Sequence, residues 1–233
     1  MRITYLILAL TMNFCATAHA WNSGLDRVNY RMSTGARNAT FTWELAHGET
    51  QKLTTRDERE TFHTALSADL QTLVWEIHRP SEGTIAKAWR NGSTLEIRGE
   101  LEGKPLERTF NVGNSSWLQS LSVSLAHHLP KAAEPREFWF IRPDTLEPHL
   151  LKVADVQNEH LVLAGEAIAT WRVVIRPAGL FAALWRGDYW FRQSDRRFLK
   201  YRGASGPPGA PMTEIDLLEE GIGRVQTEAI APR

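Results

Sequence analysis

Residues 70–112 are the stretch that most narrows what this chain can become. Strand-like runs rich in apolar and β-branched residues, such as LQTLVWEIH at 70–78, are separated there by turns only a few residues long. Arg79-Pro80-Ser81-Glu82-Gly83 supplies the first turn. Asn91-Gly92 lies between the runs at 84–90 and 94–98, and Glu102-Gly103-Lys104 between those at 95–101 and 106–112. Asn-Gly tolerates φ > 0 at both residues and is the strongest short hairpin signal. Loops this short leave no length for a crossover, so neighbouring strands run antiparallel. The region predicts a β-meander.

The same pattern continues on both sides. Residues 26–32 and 39–45 alternate with period two, which sets Phe41, Trp43 and Leu45 on one face and Thr40, Thr42 and Glu44 on the other. Residues 51–69 are mixed, and the charged run Arg56-Asp57-Glu58-Arg59-Glu60 reads as a helical turn or an exposed, solvated loop. Further strands are expected at 137–142, 150–156, 160–164, 169–176, 184–192, 197–202 and 213–218. One stretch interrupts them. Asn114-Ser115-Ser116 can cap a helix, and Trp117, Leu118, Leu121, Leu125 and Leu129 recur at helical spacing, although residues 121–125 also alternate as a strand would. The preferred reading is a helix of about three turns, 3.6 residues each, that lays one apolar stripe on the sheet and ends before Pro130. Residues 131–135 read as a linker. The expected fold class is mainly β, a curved antiparallel sheet (an open half-barrel) packed on one amphipathic helix.

The first twenty residues have a different logic. Arg2 precedes the apolar run YLILALTM at 5–12, and Ala18-His19-Ala20 matches an A-x-A cleavage site. This predicts a signal peptide over 1–20, export to the periplasm, a single β-rich domain over 21–220 and a flexible tail over 221–233. Cys15 is the only cysteine and lies inside the leader, without the residues of a lipoprotein box before it. The mature chain is therefore expected to be free of disulfides and of thiol or Cys-zinc chemistry. Lys plus Arg and Asp plus Glu number 27 each, which provides no basic excess for a nucleic-acid backbone. No later apolar run is long enough for a membrane helix.

Aromatic weight concentrates at Trp171, Phe181, Trp185, Tyr189, Trp190, Phe191, Phe198 and Tyr201, where large rings favour a well-packed core or a ligand wall. A likeness attaches to these residues. With Trp117-Leu118-Gln119 after a Gly-Asn-Ser turn, Phe138-Trp139-Phe140-Ile141-Arg142-Pro143, and Trp185-Arg186-Gly187-Asp188-Tyr189-Trp190-Phe191 followed by Asp195, Phe198, Tyr201 and Gly206-Pro207-Pro208-Gly209, the chain resembles an uncharacterised family of exported bacterial proteins known only as a domain of unknown function. The resemblance spans residues 70–218. It implies a fold similar to the lipoprotein carrier LolA and the receptor LolB, in which an antiparallel half-barrel is closed by helices over an apolar cavity. It implies no catalytic residues. Where LolA has several helices, this chain offers one.

The functional expectation is a non-enzymatic periplasmic protein that binds an apolar or amphipathic, lipid-like ligand in the concave face of its sheet. The expected walls are Trp117, Leu121, Leu125, Trp139, Trp171, Trp185, Tyr189 and Trp190, with Arg142 or Arg186 as polar handle. Asp188 reads as a turn residue or half of an Asp–Arg pair, since a lone carboxylate among aromatics is costly. No cofactor, metal or catalytic residue is expected. His127-His128 chelates poorly because adjacent helical residues diverge by about 100°, and there is neither a G-x-S-x-G elbow nor a triad with telling spacing. Two rival readings remain: an envelope assembly factor using a sheet edge or the charged residues 56–60, and, third, a hydrolase on the same scaffold. A cavity above about 300 Å³ favours a ligand, an exposed apolar patch a protein partner, and a cleft with a close His–carboxylate pair an enzyme.

Overall fold

A computed structural model of the chain describes residues 25–127, 129, 137–179, 185–204 and 210–223. The expected signal peptide with Cys15, the expected linker, His128, Phe181, the Gly-Pro loop at 206–209 and the residues beyond 223 lie outside the described residues.

The described chain is mainly β, 68% strand, in one large open, curved sheet of fifteen strands. The first eight are β1 (Leu25–Thr34), β2 (Arg37–Ala46), β3 (Gln51–Arg56), β4 (Thr61–Leu66), β5 (Thr72–Arg79), β6 (Thr84–Asn91), β7 (Thr94–Leu101) and β8 (Lys104–Asn111). A short β9 (Ser116–Trp117) and the helix α1 (Leu121–His127) follow. The remainder comprises β10 (Glu137–Ile141), β11 (Pro148–Leu163), β12 (Glu166–Pro177), β13 (Gly187–Arg192), β14 (Phe198–Ala204) and β15 (Met212–Gly223). In space the order is β8 back to β1, then β15 back to β9. Two meanders are thus joined along β1–β15, and every pairing is antiparallel except β9 with β10.

The hairpin signals act where the sequence puts them. Asn91 pairs with Thr94 around Gly92 (φ 58°), and Leu101 pairs with Lys104 around Glu102 and Gly103, both at positive φ. Two consecutive positive φ values match the twist of the flanking strands.

Two expectations are corrected, and of the two readings of the charged run the loop holds. Residues 51–69 contain the hairpin of β3 and β4, with Asp57 to Glu60 as its loop and no helical turn. The Asp57 carboxylate accepts the Arg59 and Glu60 N–H groups at 2.7 and 2.8 Å, and this local turn outcompetes a helix for the charged run. The two strands expected at 150–156 and 160–164 are one, β11, kinked by a bulge between Val153 and Asp155. The three-turn helix shrinks to the seven residues of α1. Ahead of it the chain is extended: Trp117 pairs with Trp139, and the Gln119 backbone N–H donates to Thr72 Oγ1 at 2.8 Å. The helix then starts from Ser120, whose carbonyl accepts the Val123 and Ser124 N–H groups. Burial on α1 is not confined to one stripe, since Leu121, Val123, Ser124, Leu125 and Ala126 are all buried, as in a helix enclosed by its surroundings.

Two apolar clusters follow from the curvature. One joins Leu121 and Leu125 of α1 to Val28 and Leu45 on one arm and to Val173 and Phe191 on the other. The second brings Trp117, Ile141 and Leu146, from the far end of the sheet, onto Trp75, Leu95 and Ile97. Polar ties reinforce that approach. Trp139 Nε1 donates to the Val112 carbonyl at 2.9 Å, and Arg108 Nη1 to the Thr145 carbonyl at 3.1 Å.

Candidate functional site

Inside the curve lies a cavity of about 240 Å³. Alternation along each strand delivers its walls: Tyr30 of β1, Phe41 and Trp43 of β2, Phe62 and Trp75 of β4 and β5, Tyr189 of β13, and Phe198 and Tyr201 of β14. Neighbouring strands place these rings in contact. Tyr30 stacks on Phe41 with centroids 5.3 Å apart, Phe62 stacks on Trp75 at 6.0 Å, and Tyr189 meets Tyr201 at 4.8 Å. Ser120, Leu121 and Ser122, at the start of α1, close another side.

Among the described residues the lining carries no Asp, Glu, His, Lys, Arg or Cys. Its polar side chains are hydroxyls, the Gln119 amide and the indoles of Trp43 and Trp75. Burial pushes the Tyr30, Tyr189 and Tyr201 phenols well above their usual pKa, so they stay neutral. Tyr30 Oη donates to the Phe198 carbonyl at 3.0 Å, and Ser120 Oγ to Thr64 Oγ1 at 2.8 Å. Trp43 Nε1 is buried and without a hydrogen-bond partner among the described residues, an exception that asks for a reason. The chamber offers apolar contact and a few neutral donors, and no group able to exchange a proton near neutral pH.

The ten residues expected at the site separate. Leu121 and Tyr189 line the cavity. Leu125 is buried in the core cluster behind it. Trp117 and Trp139 belong to the second cluster, and Trp171 packs on the edge of the first. Arg142 is engaged with Asp144: burial works against that carboxylate, but the Arg142 hydrogen bond and charge outweigh it and hold its pKa below the usual value. Trp185, Arg186 and Trp190 line a groove with Arg172, Asp188 and Arg202, the residues alternating with the cavity set on β12–β14. Asp188 is there the partner of Arg186, bonded at 2.7 and 2.9 Å. The walls missed by sequence reasoning, Tyr30, Phe62 and Trp75 above all, come one per strand from the N-terminal meander. Their alternation was visible, but their convergence depends on the curl of the sheet.

A close His–carboxylate pair does exist, His47 Nε2 to Asp26 Oδ2 at 3.3 Å. It is outside the cavity lining, and the same Asp26 oxygen is shared with Arg197 at 3.3 Å.

No family model matches the sequence, and no curated protein matches it. Solved structures do. The β-barrel-like protein of domain of unknown function DUF1849 from Brucella abortus has a TM-score of 0.56 at 9% identity, over 86% of this chain and 98% of that one. A DUF1329 family protein from Desulfovibrio piger reaches 0.25 at 12% identity, over 85% of both chains. A LolA superfamily protein from Nitrosomonas europaea reaches 0.22 at 9% identity, over 88% of this chain and 89% of that one. The Brucella protein, a domain of unknown function, is of the kind that the resemblance at Phe138–Pro143 and Trp185–Phe191 implies. The likeness in fold rests on the Brucella protein alone, and at 9% identity it is a likeness of fold only.

Proposed function

We propose that this chain binds one apolar segment of an amphiphile, such as the end of a hydrocarbon chain, in the cavity walled by Tyr30, Trp43, Tyr189 and Tyr201. The observation that carries the reading is the character of that cavity: uncharged, ringed by aromatics and about 240 Å³. It exceeds the ~150 Å³ apolar hole that admits benzene and falls short of the ~300 Å³ at which drug-sized pockets begin. The occupant is therefore part of a molecule, not a whole lipid. The leader read over residues 1–20 supports a periplasmic setting for it. Arg142 and Arg186 are not the handle in this reading, because each is engaged with a neighbouring carboxylate.

The test is titration with a fluorescent fatty acid, run on the natural chain and on Ser122→Leu and Ile215→Phe, which push new side chains into the space. Saturable binding that weakens at least about tenfold in both variants, with unchanged circular dichroism, is expected. Failure of the natural chain to take up the probe, or equal uptake by the filled variants, sinks the reading.

The rival reading, a protein partner at a sheet edge, meets an edge strand that discourages it. β8 carries Pro105, Glu107 and Arg108, and proline and charge blunt edge pairing.

A further inference from the structure

The face opposite the cavity is laid out by charge. Across β13–β15, Asp188 faces Arg202, Arg202 faces Glu214, and Lys200 faces Asp216. Arg202 Nε approaches Glu214 Oε1 at 3.2 Å, and Lys200 Nζ approaches Asp216 Oδ1 at 2.9 Å. Opposite charges across a ladder stabilise it, and like charges directly opposite destabilise it. Lys152 and Arg176 break this pattern. They are direct partners across β11 and β12, and among the described residues neither has a hydrogen bond or an ion pair. Glu137, the other cross-strand neighbour of Lys152, stays outside ion-pair range. Arg176 Nε is buried without a hydrogen-bond partner, and so is Arg172 Nε four residues back on the same face, although Asp188 lies 3.6 Å from it.

The local backbone gathers these groups. The bulge between Val153 and Asp155 turns Asp155 onto the face of Lys152 and bends β11. The result is a groove of about 420 Å³ in which Lys152, Arg172, Arg176 and Arg186 meet a single carboxylate, Asp155. Two of the four cations have partners beside the groove. Arg186 is held by Asp188, and Arg172 lies 3.4 Å from Glu159 and 3.6 Å from Asp188. Lys152 and Arg176 make no ion pair among the described residues.

We infer that this groove binds a phosphate group, gripped by Lys152 and Arg176, with Arg172 and Arg186 forming its far wall. The four cations outnumber Asp155, the carboxylate in the groove lining, and the two without ion pairs face a phosphate monoester's charge of about −1.5 to −2 near neutral pH. Guanidinium groups present paired N–H donors to phosphate oxygens. A single carboxylate would leave one cation of the pair uncompensated. The phosphate belongs either to an anionic lipid headgroup or to a soluble ester. The site lies on the opposite face from the cavity and does not depend on it.

Thermal unfolding and titration calorimetry with glycerol 3-phosphate and with inorganic phosphate, at ionic strength matched by chloride, test the assignment. The variants are Lys152→Gln and Arg176→Gln. The natural chain is expected to melt higher with phosphate present. Each variant is expected to melt at or above the natural chain in chloride, because the like-charge opposition is gone, and to lose about tenfold or more in phosphate affinity. Cosedimentation with vesicles containing phosphatidic acid, whose headgroup is a phosphate monoester, and with phosphatidylcholine vesicles then separates the sources. Capture by the anionic vesicles alone, lost in both variants, assigns a membrane headgroup. Binding of glycerol 3-phosphate without vesicle capture assigns a soluble ester. Absence of any phosphate effect and of vesicle capture in the natural chain, or equal binding by the variants, overturns the inference.

Discussion

Gly187 and Gly203 stand directly opposite each other on β13 and β14, and the Tyr201 ring folds back over both. A Cβ on Gly203 would lie 2.3 Å from Tyr201 Oη and 3.0 Å from the Arg186 carbonyl. Bare backbone on both strands is what lets Tyr201 lie down and meet Tyr189 in the cavity wall. Gly203→Ala is expected to destabilise the chain by about 1–3 kcal/mol, the range for overpacking, and to weaken fatty-acid binding with it. Gly187→Ala, whose nearest obstacle is the far end of the Trp185 ring at 2.9 Å, is expected to cost less. Urea unfolding of the two variants side by side checks the order.

Gly99 is under a harder constraint. Its φ is +145°, and an added Cβ would stand 2.1 Å from the Ile85 carbonyl on the paired strand. β6 and β7 would have to part to admit it. Gly99→Ala is expected to cost more than about 3 kcal/mol, among the larger point effects. Gly92→Ala meets nothing within 4 Å and is expected to cost about 1 kcal/mol, for its positive φ alone. Equal urea midpoints for the two would refute the account of Gly99.

Gln119 is a buried polar bridge. Its Oε1 accepts from Trp117 Nε1 at 3.2 Å and from the Ile141 N–H at 2.9 Å, while its Nε2 donates to the Ile141 carbonyl at 2.7 Å. Gln119→Ala leaves three buried groups without partners, and a loss of about 2–4 kcal/mol is expected. Gln119→Glu keeps an acceptor for two of them but loses the donor, and its buried carboxyl adds a charge penalty. The alanine variant should therefore show a lower urea midpoint than the natural chain with a similar m-value.

Alkaline stability should follow the tyrosines. Tyr30, Tyr189 and Tyr201 are three of the four in the chain, and burial raises all three above the ordinary value of 10.0. The folded state thus keeps protons that the unfolded state releases near that pH. Their contribution is complete below about pH 10 and is lost as pH rises beyond it. Absorbance at 295 nm is expected to rise together with loss of the β circular-dichroism signal, both above pH 10. Phenol ionisation near pH 10 with the sheet intact would contradict this.

The meander was readable because its signals are local. Gly92 and Gly103 mark hairpins where they stand, and the alternation of Phe41, Trp43 and Leu45 survives in a cavity wall and the core behind it. The helix was overextended because Trp117 and Leu118 share its spacing, and what holds them extended is Gln119 reaching Ile141 and Thr72, contacts distant in sequence. The residues expected to share one site are separated for a related reason. Aromatic density drew attention to the Trp185–Phe191 segment, yet adjacent residues of a strand point to opposite faces, so Tyr189 and Trp190 never share a chamber. Tyr30, Phe62 and Trp75 stand alone in sequence and meet only when the sheet bends.

The seam between β1 and β15 also sets the order in which this molecule can be completed. Leu25 pairs with Gly223, about two hundred residues along the chain, whereas nearly every other ladder closes over a short hairpin. Each meander can assemble from local contacts as it emerges, but the β1–β15 ladder that makes them one sheet waits for the last strand, and closing so long a loop is slow. A chain stopped before Met212 would therefore leave the pairing edges of β1 and β14 open to other chains, with the two arms in contact only through α1 and their far ends, and would be prone to aggregate.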